Sequence, residues 1–230
     1  MGDVPDVVEL IRATLAQAGD PERAARQQAY MKSAMPYRGL TARELQALLR
    51  PLLAGYRPAG RAVWEADVRG LWDAASHREE RYAAIALARH RAGRPWRDPA
   101  ALPLYHHLVV GGAWWDLVDP VAAHLVGATL AGHPGEVTPV MRDWSADGDL
   151  WLRRTAVLCQ LGRAEGTDRE LLADVIERNA ADRSFWLRKA IGWSLRDFAR
   201  TDPAWVRAQV ARWDGRLSGL SRREALKHLS

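Results

Sequence analysis

An all-helical fold, with helix pairs stacked into a solenoid, is what this sequence predicts, and three observations predict it. Apolar residues recur at the spacing of an amphipathic helix almost throughout. Gly or Pro punctuates most junctions between these stretches, at Gly93, Pro95, Pro99, Gly111-Gly112, Pro134, Gly162 and Pro203. The chain also resembles itself at an interval of 35 residues: Trp151-Leu152-Arg153-Arg154 aligns with Trp186-Leu187-Arg188-Lys189, and Trp115 stands 36 residues before Trp151. An interval of that size, with two helices per unit, marks a helical solenoid.

The elements follow in order. Val7, Leu10, Ile11, Leu15 and Ala18 share one face of a first helix. Thr41 predicts an N-cap, and Glu44 three residues on completes a capping box ahead of Leu45, Leu48 and Leu49. Helical spacing continues over 61–74, 78–92, 97–110, 121–131, 135–145, 149–162, 169–180, 183–200, 203–213 and 221–229. Asp147-Gly148-Asp149 and Asp182-Arg183 form turns ahead of the two repeated tryptophan helices. Strand alternation and Asn-Gly hairpin signals are missing. No Pro/Ser-rich linker divides the chain, so residues 1–230 are expected to form one domain, with one helix of each pair lining a concave, basic face.

Composition narrows the function classes. Of 230 residues, 48% are hydrophobic and 27% charged, which suits a globular chain with a substantial core. The net charge of +5 is compatible with a polyanionic partner. All basic residues but Lys32, Lys189 and Lys227 are arginine, whose planar fork matches phosphate oxygens, although compositional bias produces the same excess. The single cysteine, Cys159, excludes an internal disulfide and lies among Val157, Leu158 and Leu161, as a buried small hydrophobe would. Met1-Gly2-Asp3-Val4-Pro5-Asp6 lacks the apolar core of a secretory signal, and no apolar run approaches a membrane span. A soluble, cytoplasmic protein with no membrane contact is expected. His106-His107 and the scattered histidines lack metal-ligand spacing, and no GxGxxG or P-loop occurs, so neither a metal nor a nucleotide cofactor is expected.

Eleven tryptophans are many for this length, and most suit a core. Three groups stand out. In Trp114-Trp115-Asp116-Leu117-Val118-Asp119-Pro120, Trp115 and Asp119 are four residues apart and share a face of a continuous helix. An indole beside a carboxylate attracts a cation through the ring quadrupole and directly through charge. Asp before Pro is equally a helix start, with Asp119 as N-cap and Pro120 at the first helical position, and both readings stand. Trp151 with Arg154, and Trp193 with Arg196, each share a helix face, either as solvated arginines or as phosphate clamps. If the repeat stacks these groups on successive units, they converge on one surface.

At these residues the sequence resembles the AlkD-type DNA glycosylases, bacterial alkylation-repair enzymes built of HEAT-like repeats. The similar stretches are Ala29-Tyr30-Met31-Lys32, Trp114-Trp115-Asp116-Leu117-Val118-Asp119, Trp151-Leu152-Arg153-Arg154-Thr155-Ala156, Ala190-Ile191-Gly192-Trp193-Ser194-Leu195-Arg196 and Ser221-Arg222-Arg223-Glu224-Ala225-Leu226-Lys227-His228. They run from the first fifth of the chain to its end. The resemblance implies that Asp119 is the catalytic carboxylate and that Trp115 and Trp193 are active-site aromatics cradling the lesion nucleotide. It implies that Arg154 contacts DNA beside them, with Arg196 close by, and that Tyr30 contacts DNA from the N-terminal helices; Arg153, beside Arg154, and Lys32, in the stretch of Tyr30, are further candidates for phosphate contact. Pro120 directly after the acid and the tandem Arg153-Arg154 depart from the pattern.

The same resemblance implies a monofunctional glycosylase acting on N3- and N7-alkylated purines, such as 3-methyladenine and 7-methylguanine, in double-stranded DNA. The lesion would stay stacked rather than flipped, and no cofactor would be needed. The enzyme is expected to be a monomer without an obligate protein partner, at the nucleoid during repair. Two other classes stay in view: a non-catalytic solenoid binding distorted DNA, and a protein–protein scaffold, which would present aliphatics where the Trp, Arg and Asp residues converge.

Overall fold

The computed structural model describes residues 6–229; Met1–Pro5, part of the stretch read above as lacking a secretory signal, lies outside the described residues. Among the described residues all regular structure is helical, as the spacing predicts. The chain forms two compact units, Met1–Trp96 and Arg97–Ser230. No helix among the described residues is long and apolar enough to cross a membrane.

The first unit holds α1 (Val7–Gln17), α2 (Pro21–Met31), α3 (Ala42–Ala54), α4 (Arg61–Asp73), α5 (Arg78–Ala88) and a 3₁₀ segment, Arg91–Trp96. On α1 the inward face is Val8, Ile11 and Leu15, while Leu10 stays 38% exposed. The Thr41–Glu44 capping box opens α3: Glu44 N–H donates to Thr41 Oγ1, and Thr41 N–H donates to Glu44 Oε2. Helix α2 has no counterpart among the predicted segments, for a physical reason. Met31 is its one buried residue, so it shows no apolar stripe, and it is marked only by the Asp20 N-cap and Pro21. It ends at Lys32 in the left-handed conformation, φ 50°. A loop then returns under α5, where the buried Glu79 carboxylate accepts from the backbone N–H groups of Arg38, Gly39 and Leu40.

The second unit begins with a 3₁₀ turn (Pro99–Ala101) and α6 (Leu102–Gly112). Gly111-Gly112 do not break α6, as their composition suggests; the helix runs through them and stops at Ala113, left-handed at φ 41°. Next come α7 (Trp115–Pro120), a π-helical segment (Val121–Val126) and α8 (Gly127–Gly132), all continuous, with helical backbone at Pro120, Val121, Val126 and Gly127. The helix expected from 121 therefore starts six residues earlier. Pro120 has no N–H for the ladder, and the helix widens directly after it, where Gly127 N–H reaches back to Ala122 O. The remaining helices are α9 (Pro134–Trp144), α10 (Leu150–Leu158), α11 (Arg169–Asn179), α12 (Phe185–Phe198), α13 (Pro203–Arg212) and α14 (Gly219–Leu226).

Two close helix contacts fix the frame of this unit. The π segment packs on α10, and a Cβ at Gly127 would collide with the Cys159 carbonyl oxygen. Helix α12 packs on α14, and a Cβ at Gly192 would lie 2.5 Å from Glu224 Cβ. Cys159 itself is buried, donates to Ala156 O at 3.2 Å, and has its thiol pushed up to about 12 by burial, so it serves as a core side chain and not as a nucleophile.

Candidate active site

The repeated tryptophan helices open with the same device. Asp149 caps α10, accepting from Trp151 and Leu152 N–H, and Ser184 caps α12, accepting from Trp186 N–H. Capping fixes the start of each helix, so Trp151 and Trp186 occupy matching positions, and with Trp114 they form one aromatic cluster. Ring centroids lie 6.0 Å apart for Trp114–Trp151, 5.0 Å for Trp114–Trp186 and 5.7 Å for Trp151–Trp186. Phe185, exposed at the first turn of α12, meets Trp186 edge-on at 5.2 Å.

Three residues along α10 from Trp151, Arg154 reaches α7. Its Nε donates to Asp119 Oδ1 and its Nη2 to Asp119 Oδ2, both at 2.7 Å, while Nη1 donates to the Trp186 carbonyl at 2.5 Å. One guanidinium thus ties α7, α10 and α12 together. Both partners are buried, with Asp119 8% and Arg154 4% exposed. The N-cap alternative for Asp119 is overturned: the residue lies inside a helix already begun at Trp115, and its carboxylate is turned to another helix. Burial pushes the Asp119 carboxyl above the usual aspartate range, the Arg154 hydrogen bonds and charge pull against this, and Asp116 adds to the upward push.

Arg154 does not take up every acceptor direction of the carboxylate. Two carboxylate oxygens offer about four lone-pair directions, and Arg154 takes one on each. A carboxylate in low dielectric acts strongly on positive charge brought near it. Trp115 stands one turn before Asp119 on α7 and is half-buried. Trp193 is 37% exposed on α12.

Arg153 donates through Nη1 to Asp182 at 2.6 Å and to Asn179 at 3.4 Å, joining α10 to the turn before α12. Arg196 donates to Glu224 Oε2 at 2.6 Å. Tyr30, 81% exposed, and Lys32, also exposed, lie on and just after α2 in the first unit. The structure therefore brings Asp119 and Arg154 together. It engages Arg154 with protein groups, against the expectation that its guanidinium is open to phosphate. Trp114, Trp186, Lys189 and Glu224 were not singled out for the site. The signal for the last two was present: positions 119, 154, 189 and 224 are spaced 35 apart, and Lys189 pairs with Glu224 as Arg154 pairs with Asp119. Among the described residues no three His, Cys, Asp or Glu side chains are grouped as a metal would need.

A family model described as DNA alkylation repair enzyme matches residues 11–229. A predicted DNA alkylation repair enzyme from Enterococcus faecalis is 30% identical, with 92% of this chain and 97% of that one aligned at a TM-score of 0.81. The Pseudomonas fluorescens alkylpurine DNA glycosylase AlkC, bound to DNA containing an abasic site analog, is 17% identical, with 99% of this chain and 65% of that one aligned at a TM-score of 0.60. At that identity the likeness is one of fold. A comparison with curated proteins gives no match.

Proposed function

From the premise that this chain belongs to the DNA alkylation repair enzyme family, we propose that it is a DNA glycosylase that hydrolyses the N-glycosidic bond of cationic N3- and N7-alkylated purines in duplex DNA. The observation that carries the proposal is the buried Asp119 carboxylate, held at both oxygens by Arg154 in a unit rich in indole faces. A lesion purine alkylated on N3 or N7 carries formal positive charge and leaves as a neutral base, so little acid catalysis is needed. As C1′–N bond cleavage delivers its electron pair to the purine, positive charge builds on the deoxyribose. Asp119 stabilises that charge electrostatically and orients a water, whose oxygen bonds to C1′ while its proton departs.

In this reading Arg154 acts on Asp119 and not on phosphate. It compensates the cost of burying the carboxylate and fixes its direction. Trp115 and Trp193 hold the cationic nucleotide through ring faces, each worth about 0.5–2 kcal/mol. Arg196 and Arg153 lie near backbone phosphate, and Tyr30 and Lys32 contact the duplex. Asp119 cannot form a Schiff base, so no strand cleavage accompanies base release. The lesion stays stacked and is worked on from the backbone side, and the enzyme acts as a monomer in the cytoplasm, at the chromosome.

The test is incubation with duplex DNA containing 7-methylguanine, followed by chromatographic detection of free base and a check that the abasic strand stays intact. Release by the wild-type protein, lost in Asp119→Asn, supports the proposal. Tight duplex binding with no base released would leave a non-catalytic DNA-binding protein.

A further inference from the structure

Lys189, Gly192, Trp193 and Arg196 are spaced i, i+3, i+4 and i+7 along α12, which places them on one face. Because Gly192 lacks a Cβ, the Glu224 side chain of α14 sits directly on that face. From there its carboxylate forks in both directions. Oε1 accepts from Lys189 Nζ at 2.9 Å and Oε2 accepts from Arg196 Nη1 at 2.6 Å. Lys189 and Arg196 thus stand on either side of Trp193, whose indole is exposed between them. The two cations outnumber their one carboxylate, and neither is used up by it. Lys189 keeps two of its three ammonium hydrogens, and its side chain is 43% exposed.

We infer that Glu224, Lys189 and Arg196 form a preset phosphate fork around Trp193, in which Glu224 is a positioning residue and Lys189 a backbone-contacting one. This rests on the DNA-binding part of the function proposed above and adds two residues to it. The carboxylate has two effects. It fixes two long, rotamer-rich side chains before DNA arrives, which lowers the ordering cost of gripping a phosphate. It also cancels one of the two positive charges, which limits attraction to any stretch of duplex and leaves contact to depend on the phosphate being correctly placed beside the indole. The sequence spacing relates the two carboxylate sites: Asp119, Arg154, Lys189 and Glu224 stand at successive intervals of 35, and each pair joins neighbouring positions of that series with the order of acid and base reversed.

The experiment measures binding of the full chain to undamaged duplex DNA by fluorescence anisotropy across a range of KCl concentrations, with thermal melts as a check of folding. Lys189→Gln is expected to flatten the slope of log K against log salt by about one, the loss of one phosphate contact. Glu224→Gln is expected to steepen it by about one, because both cations are released to phosphate. Glu224→Asp, which keeps the charge, should stay near the wild-type slope. A purely structural role for Glu224 would lower the melting temperature and leave the slope alone. Wild-type slopes in both Lys189→Gln and Glu224→Gln would overturn the inference even if 7-methylguanine release were normal. Normal binding slopes and the expected shifts, with no base release by the wild type, would instead count against the glycosylase reading alone.

Discussion

Two carboxylates of the second unit each hold a basic residue 35 positions away, yet they sit in opposite electrostatic settings. Asp119 is paired with one buried arginine at both oxygens, and burial is the largest influence on it, pushing its carboxyl up. Glu224 is paired with a half-exposed lysine and with Arg196, and the Lys189 hydrogen bond is the largest influence, holding its carboxyl below the usual range. The same spacing of opposite charges, with their order reversed, thus gives a desolvated anion in one place and a solvated organiser of cations in the other. What separates them is the layer around the pair. Arg154 is buried and donates to the Trp186 carbonyl, whereas the Lys189 side chain is 43% exposed. A desolvated carboxylate acts on nearby positive charge more strongly than a solvated one.

The largest effect expected of breaking this contrast is at Arg154. Arg154→Ala leaves an anion buried without a partner, at a cost of about 3–5 kcal/mol in stability. Chemical denaturation measures it, and base release should fall with it because Asp119 loses its orientation. A variant of wild-type stability would show that the pair carries little of the frame. Removing Lys189 from the solvated pair should cost no more than about 1 kcal/mol. Next in size is Asp119→Asn, which keeps an acceptor for Arg154 but removes the charge. Release of 7-methylguanine should slow on the order of 10²-fold while duplex affinity holds. The wild-type rate should also fall on the acid side with a midpoint above that of an ordinary aspartate, about 3.9, a limb missing from the variant's residual rate. An acid limb that persists in Asp119→Asn would assign it to another group.

Much of this was legible in the sequence, and the exceptions share causes. The all-helical class, the capping box at Thr41 and the interval of 35 were all readable, because each is a local pattern of side chains. Helix α2 was not, since a helix that buries only Met31 leaves no stripe to see. Gly111-Gly112 suggest a break where α6 continues, because Leu108, Val109 and Gly112 are buried and packing outweighs the helix penalty of glycine. Asp119 was ambiguous for a similar reason. Asp-Pro is a cap by composition, and only the partner on α10 decides that the carboxylate faces another helix. Arg154 and Trp151 were visible as a pair on one face, but sequence could not say that the guanidinium points inward, nor that Trp114 and Trp186 join Trp151.

A mid-sized effect tests whether helix spacing or charge creates the contrast. Gly127 lets the helix of Asp119 approach α10, and Gly192 lets α12 approach Glu224. Gly127→Ala sets a methyl against the backbone oxygen of Cys159, which cannot rotate aside, and should cost about 1–3 kcal/mol. It should also slow base release, because the α7–α10 distance sets the Asp119–Arg154 geometry. Gly192→Ala meets Glu224 Cβ and should displace the fork around Trp193, changing the salt dependence of binding and sparing the acid limb of the rate. If both variants changed the rate profile alike, the two carboxylates would be one coupled system and the comparison would fail.

The smallest effect is the most direct, because it is a difference of sign. A carboxyl whose folded value is raised contributes stability below its unfolded value, near 3.9 for aspartate, and loses it as pH rises through the folded value. Wild type should therefore gain on Asp119→Asn as pH falls through that window. A carboxyl whose folded value is lowered contributes stability above its unfolded value, near 4.3 for glutamate, and loses it as pH falls through the folded value. Wild type should therefore lead Glu224→Gln at neutral pH, with the lead shrinking in acid. Melting temperatures of the three proteins from about pH 3 to 7 give the two difference curves, which should slope in opposite directions. Parallel curves would mean that Asp119 is as well solvated as Glu224, and the burial that distinguishes the candidate catalytic carboxylate would lose its basis.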